Sequence, residues 1–181
     1  MAQPPADVLE FLASIGATKT GHHAGRSLND HLLATWQLLT EWQADQSVCL
    51  AGLCHSVYGT DAFDTACLGP KDRHVVRSHI GKDGEQIAYL FGAMDREAFL
   101  ADPSSLQIFD RFADALLSIT MTERTAICDI LLANELDLVI AKKGNDRPEK
   151  VLKKVGPVFE KIGPFLSAQA KSAYQTLSNQ R

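Results

Sequence analysis

Apolar positions recur along this chain mostly at intervals of three and four residues, the spacing of one helix face after another. Val8, Leu9, Leu12 and Ile15 make a short stripe over residues 6–15, stopped at Gly16. Leu28, His31, Leu32, Thr35, Leu38, Leu39 and Trp42 make a longer one, opened by Ser27 as N-cap with Asp30 three residues on. From Ser47 to Val57 the chain is apolar on nearly every side, which marks a buried helix. Ala51 and Gly52 stand one turn before His55, and their small size lets the helix bearing His31 approach closely. Residues 58–70 read as a loop, Lys71 to Ile80 and Asp83 to Met94 as two helices broken at Gly81, and Asp95 to Leu100 as a short helix. Gln107 to Ile119 suits a short hairpin or irregular chain. Thr120 and Glu123 form a capping box for a helix from about Met121 to Lys143, ended by Gly144-Asn145. Pro148 opens the next helix, and Gly163-Pro164 separates it from a last one reaching about Ser178. The pattern predicts an all-α fold: one helical domain over residues 1–181, with at most a small β-hairpin at 107–119.

Composition changes this picture little. The chain is 45% hydrophobic and 22% charged, with a formal net charge of −4. Its basic residues are scattered except from Lys150 to Lys161, so a nucleic-acid partner is not expected. Charges interrupt every apolar run well short of the ~18 residues of a membrane span. Cys49, Cys54, Cys67 and Cys128 form no paired motif and read as reduced packing residues. The start of the chain has no secretory pattern. A cytoplasmic protein with a small-molecule substrate is the expectation; oligomeric state cannot be read.

Chemistry is suggested by polar side chains inside apolar stripes. His31 sits within one stripe and His55 ends the next, and two imidazoles on adjacent buried helices are the beginning of a metal site. Either histidine alone would read as a satisfied core group. Asn134 falls in the middle of the face made by Ile127, Ile130, Leu131 and Leu138, and Asp137 follows at its border. A buried amide or carboxylate needs a partner, and a metal or a backbone group would serve. His23 and Arg26 precede the His31 helix and can reach a pocket mouth, where a guanidinium suits phosphate or carboxylate; a surface ion pair is the other reading of Arg26. Tyr58 is either a pocket-lining proton donor or a cap on the core. Arg73, His74 and Arg77 read as a solvated basic face.

Asp30-His-Leu32, followed 24 residues after its histidine by His55 in Ala51-Gly-Leu-Cys-His-Ser-Val57, resembles the HD superfamily of metal-dependent phosphohydrolases. The spacing is most similar to the alarmone hydrolases, whose His-Asp pair leads through an acidic turn to a segment like Arg77-Ser-His-Ile-Gly-Lys-Asp-Gly-Glu-Gln-Ile87. The chain also resembles a group of small HD-like proteins that begin Arg-(x)3-Asp-His-Leu and have a His-Ser-Val-Tyr-Gly-Thr centre. The resemblance covers roughly residues 23–137. It implies an HD-like helical bundle, a divalent metal on His31, His55 and a later helix residue, and a phosphorylated or nucleotide-like substrate.

The departures bear on activity. Ser56 stands where the family pairs an aspartate with its histidine, and Asn134 where it has its late aspartate. The acidic pair of the alarmone hydrolases falls on Gly59-Thr60, with Asp61 just beyond as the remaining catalytic carboxylate candidate. The resemblance then implies either a rebuilt metal set, drawing on His23, His79, Glu85 or Asp137, or loss of the metal. Histidine-rich, carboxylate-poor ligation favours Fe, Mn or Zn over Mg. Three functional readings remain open: a metal-dependent hydrolase, an iron-dependent oxygenase on the same scaffold, and a non-catalytic ligand-binding or interaction module.

Overall fold

The computed structural model describes residues 3–21, 27–63, 65–140 and 148–179. Two of its long helices begin on reciprocal caps. Ser27 Oγ accepts from the Asp30 N–H at 3.1 Å while the Asp30 carboxylate accepts from the Ser27 N–H at 3.2 Å, which starts α2 (Leu28–Glu41). Thr120 and Glu123 do the same, at 3.1 and 2.7 Å, for α6 (Met121–Ile140). Each cap satisfies backbone donors that no helix turn can reach. The other helices are α1 (Ala6–Ser14), α3 (Gln46–Cys54), α4 (Arg73–Ala93), α5 (Arg96–Ala101), α7 (Pro148–Ile162) and α8 (Ala168–Ser178). An antiparallel hairpin, β1 (Gln107–Asp110) and β2 (Ala115–Ser118), pairs Gln107 with Ser118 and Asp110 with Ala115. The described chain is therefore mostly helical with one small sheet, and the hairpin takes up the segment whose sequence left hairpin or irregular chain open.

The core is assembled around α3, which packs against α2 on one side and α4 on the other, while α6 lies on α2 and α7. Leu32, Leu39, Leu53, Leu90, Ile127 and Leu131 are fully buried there, each contributing about 1.5–3 kcal/mol. Position 52 sets how close α2 and α3 come. A Cβ added to Gly52 would stand 2.2 Å from Leu39 Cδ1, so the contact exists only because no side chain is present. Gly81 interrupts α4 at φ +75° and ψ 171°, a conformation that glycine adopts without penalty, and helix continues on either side. That is the break the sequence places between its two helices. Among the described residues no helix is long and apolar enough to cross a membrane.

α3 is shorter than its apolar run predicts. It stops at Cys54, with His55 as its cap, instead of reaching Val57. Val57 N–H donates to Cys54 O and Gly59 N–H to Ser56 O, so the chain winds off in tight turns. Apolar character there reports burial, not helix. The predicted end of α6 at Gly144-Asn145 lies outside the described residues.

Of the expected solvated basic face, His74 and Arg77 stay exposed, while Arg73 turns to a buried anchor. Glu85, fully buried, accepts from Arg73 Nε at 2.6 Å and Nη2 at 3.0 Å, from Arg77 Nη2 at 2.9 Å and from the Tyr58 hydroxyl at 3.1 Å. The Arg73 guanidinium lies 3.8 Å over the Tyr89 ring, and the Tyr89 hydroxyl donates to Asp110 at 2.7 Å, which ties α4 to the hairpin. A buried carboxylate needs such partners: Arg73 folds inward, and Arg77, itself exposed, reaches Glu85 with one nitrogen.

Candidate functional site

Three helices bring polar side chains to one buried point. α2 supplies His31, the end of α3 supplies His55, and α6 supplies Asn134 and Asp137. His31 is 1% exposed and His55 0%. His31 Nε2 lies 3.2 Å from His55 Nε2 and 3.0 Å from Asn134 Oδ1, and His31 Nδ1 lies 2.6 Å from Asp137 Oδ2. His55 packs edge-on against Phe91, with ring centroids 5.1 Å apart.

The hydrogen-bond partners decide where the protons sit. Gly52 O is a carbonyl and can only accept, so His55 Nδ1 carries a proton and donates it at 2.7 Å. That bond also satisfies a carbonyl from the last turn of α3. The Asp137 carboxylate accepts from His31 Nδ1 in the same way. In the neutral form of each ring, Nε2 is then a lone pair. The Asn134 amide donates from Nδ2 to Glu135 Oε1 at 3.1 Å and turns Oδ1 toward His31. Two ring nitrogens and an amide oxygen thus converge within 3.0–3.2 Å.

Asn134 also opens onto a small cavity of about 30 Å³, lined among others by Ser56, Thr60, Asp61, Phe91 and Arg96. Arg96 Nη2 donates to Glu135 Oε1 at 2.6 Å, so a polar chain runs from the cavity through Glu135 and Asn134 to the histidines. This space is large enough for one or two waters or the reacting end of a larger molecule.

The site candidates from the sequence fall into three groups. His31, His55, Asn134 and Asp137 come together, but Asp137 meets the ring nitrogen of His31 remote from the cluster centre and serves as its orienting partner. Asp61 lines the cavity and is exposed. Tyr58 does not line it: the ring is buried and the hydroxyl is spent on Glu85, so its core reading describes its position. Burial foremost, then the Glu85 charge, raises the Tyr58 hydroxyl above its ordinary range, which holds the proton in place. Arg26 and His23 lie outside the described residues. The reserve ligands His79 and Glu85 are elsewhere, the first stacked on Phe11 at 4.2 Å and the second taken by arginines. Cys54, next to His55, is a free thiol pushed up to about 12 by burial and is no nucleophile.

Sequence reasoning missed Glu135 and Arg96. A signal existed only for Glu135, as an acidic neighbour of a buried amide; its arginine comes from 39 residues away. Among the described residues no three His, Cys, Asp or Glu side chains are arranged to hold a metal ion, since the third donor here is an amide oxygen. Residues 11–96 match the family model of a domain of unknown function (DUF6817), a stretch that includes both histidines and stops before Asn134. No curated protein and no solved structure matches the chain.

Proposed function

We propose that this chain is an HD-like metalloprotein in which His31, His55 and Asn134 hold a divalent transition metal ion, Fe, Mn or Zn, and that it acts on a small polar or phosphorylated substrate. The observation that carries the reading is the convergence of two imidazole Nε2 atoms and an amide oxygen at 3.0–3.2 Å. Nitrogen donors at their usual distances on one tetrahedral ion lie about 3.3 Å apart, so the spacing fits a shared ion. The N,N,O donor set suits those metals better than Mg. When bound, such an ion supplies Lewis-acid polarisation of a substrate or water oxygen.

The chain's own residues have defined parts. Asp137 and the Gly52 carbonyl hold protons on the two Nδ1 atoms, which turns the two Nε2 atoms toward each other and fixes the ring planes. Ser56, Thr60 and Asp61 place hydroxyl and carboxylate groups around the cavity, where they orient a polar substrate. Phe91 forms part of the cavity wall. With Ser56 and Asn134 in place of carboxylates, alarmone or cyclic-nucleotide hydrolysis is expected to be slow or absent. An iron-dependent oxygenase remains the second enzymatic form of this reading.

One observation favours a non-catalytic module instead. The Asp137 carboxylate, 2.6 Å from His31 Nδ1, can balance a proton shared by His31, His55 and Asn134. Metal analysis of protein purified without a tag, with activity tests on nucleotide phosphates, separates the two. Near-stoichiometric iron, manganese or zinc, lost in His55→Ala, supports the metalloprotein. Metal-free protein that also takes up no Mn²⁺ or Zn²⁺ overturns it in favour of the proton-filled module.

A further inference from the structure

Three polar side chains that line the cavity beside Asn134 have hydrogen-bond donors to spare. Ser56 is 2% exposed, and its hydroxyl meets no partner among the described residues. A hydroxyl buried this deeply costs free energy unless something bonds to it. Arg96 Nη2 donates to Glu135 at 2.6 Å, which fixes the guanidinium, while Nε and Nη1 make no hydrogen bond among the described residues. The Thr60 hydroxyl oxygen accepts the Phe63 N–H at 3.1 Å, and its own proton is left for the cavity.

Among the described residues of that lining, Arg96 is the only basic one. Donors gathered around a guanidinium select an anion, and size selects which anion. A cavity of about 30 Å³ has room for about two waters. A carboxylate fills such a space with two oxygens in one plane, and its plane matches the fork of a guanidinium. A phosphate brings four oxygens in a tetrahedron and stays outside. Asp61, the acidic residue of the lining, is exposed, so water and salt screen its repulsion. We propose that the cavity binds the carboxylate group of a small organic acid through the Ser56 hydroxyl and the Arg96 guanidinium. The proposal rests on the reading of this cavity as a substrate site and narrows that substrate to a carboxylic acid; it does not need the metal ion.

The test titrates the full metal-free chain and its Arg96→Gln and Ser56→Ala variants with sodium acetate, and separately with inorganic phosphate, at constant ionic strength. Proton–nitrogen-15 NMR follows the backbone amides of positions 56 and 60 and, in wild type, the Arg96 Nε–H. Acetate should shift these signals saturably, with an affinity at least about tenfold weaker in Arg96→Gln and about threefold weaker in Ser56→Ala. Phosphate should leave them unmoved. The Arg96 and Glu135 side chains are 21% and 17% exposed, so their ion pair adds little to stability and Arg96→Gln should stay folded; if it does not, Ser56→Ala decides alone. No saturable shift with acetate, wild-type affinity in the variants, or a phosphate response as strong as that to acetate overturns the proposal. Mn²⁺ uptake by the wild-type chain keeps the two readings apart. Acetate binding in a chain that takes up no Mn²⁺ supports the carboxylate site and overturns the metal centre, and Mn²⁺ uptake without acetate binding does the reverse.

Discussion

His31 and His55 meet through their Nε2 atoms, 3.2 Å apart with ring planes at 78°, while each commits its Nδ1 proton to an acceptor behind it. The meeting depends on helix packing as much as on the histidines, because α2 and α3 must approach closely for the rings to touch.

That dependence gives the first prediction. Gly52→Ala inserts a methyl group 2.2 Å from Leu39 Cδ1 and should destabilise the fold by about 1–3 kcal/mol. Leu39→Ala alone should cost about 2–5 kcal/mol. In urea denaturation the double variant should lose clearly less than the sum, since the smaller side chain makes room for the methyl. Additive losses would mean that Gly52 does not set the spacing of α2 and α3.

Asp137→Asn keeps an acceptor for His31 Nδ1 but removes the charge that makes the bond strong. Mn²⁺ or Zn²⁺ affinity should fall about 10–100-fold, with helix content by circular dichroism unchanged. An affinity equal to wild type would show that Asp137 does not orient His31 for a metal.

Much of this site is legible in the sequence, and the limits have physical causes. His31 and His55 interrupt apolar stripes, and Asn134 interrupts the face of α6, so their burial follows from helical spacing alone. Gly52 is legible as a close approach for the same reason. Spacing places Asp137 near the cluster but does not say which ring nitrogen it meets, since that depends on the rotation of an imidazole. Tyr58 was ambiguous because its partner Glu85 is 27 residues on. Arg73 reads as surface because its pairing with Glu85 spans the Gly81 break in α4, which no periodicity reports, whereas Arg77 is exposed as its position suggests.

Ser56 and Asn134 both line the cavity and both stand where the HD resemblance has carboxylates. Ser56→Asp combined with Asn134→Asp restores two anionic donors and should tighten Mn²⁺ binding by at least about tenfold, or ~1.4 kcal/mol. Isothermal titration of both proteins measures it. Unchanged affinity, or unfolding caused by unpaired buried charge, would count against the alignment of those positions.

A pH effect is expected away from the site. Asp129 is 3% exposed and accepts from the Ser167 N–H at 3.0 Å. Burial, the larger influence, raises its carboxyl above the usual aspartate range, and the Ser167 bonds partly offset it. The folded state therefore binds this proton more tightly than the unfolded one, and stability falls as pH rises through the folded-state titration. Asp129→Asn keeps an oxygen for Ser167 without the charge. Its urea midpoint should exceed wild type near neutral pH, with the gap closing as pH falls toward the ordinary aspartate value of about 3.9. A gap that does not change with pH would contradict the account.

The central claim is that His31, His55 and Asn134 share one cation, and anomalous X-ray diffraction from crystals of the protein as purified, collected on either side of the Fe, Mn and Zn absorption edges, tests it most directly. The account predicts a single anomalous peak within bonding reach of His31 Nε2, His55 Nε2 and Asn134 Oδ1, absent from crystals of His55→Ala. No peak between the three groups, with the two imidazoles in direct hydrogen-bond contact, would contradict it.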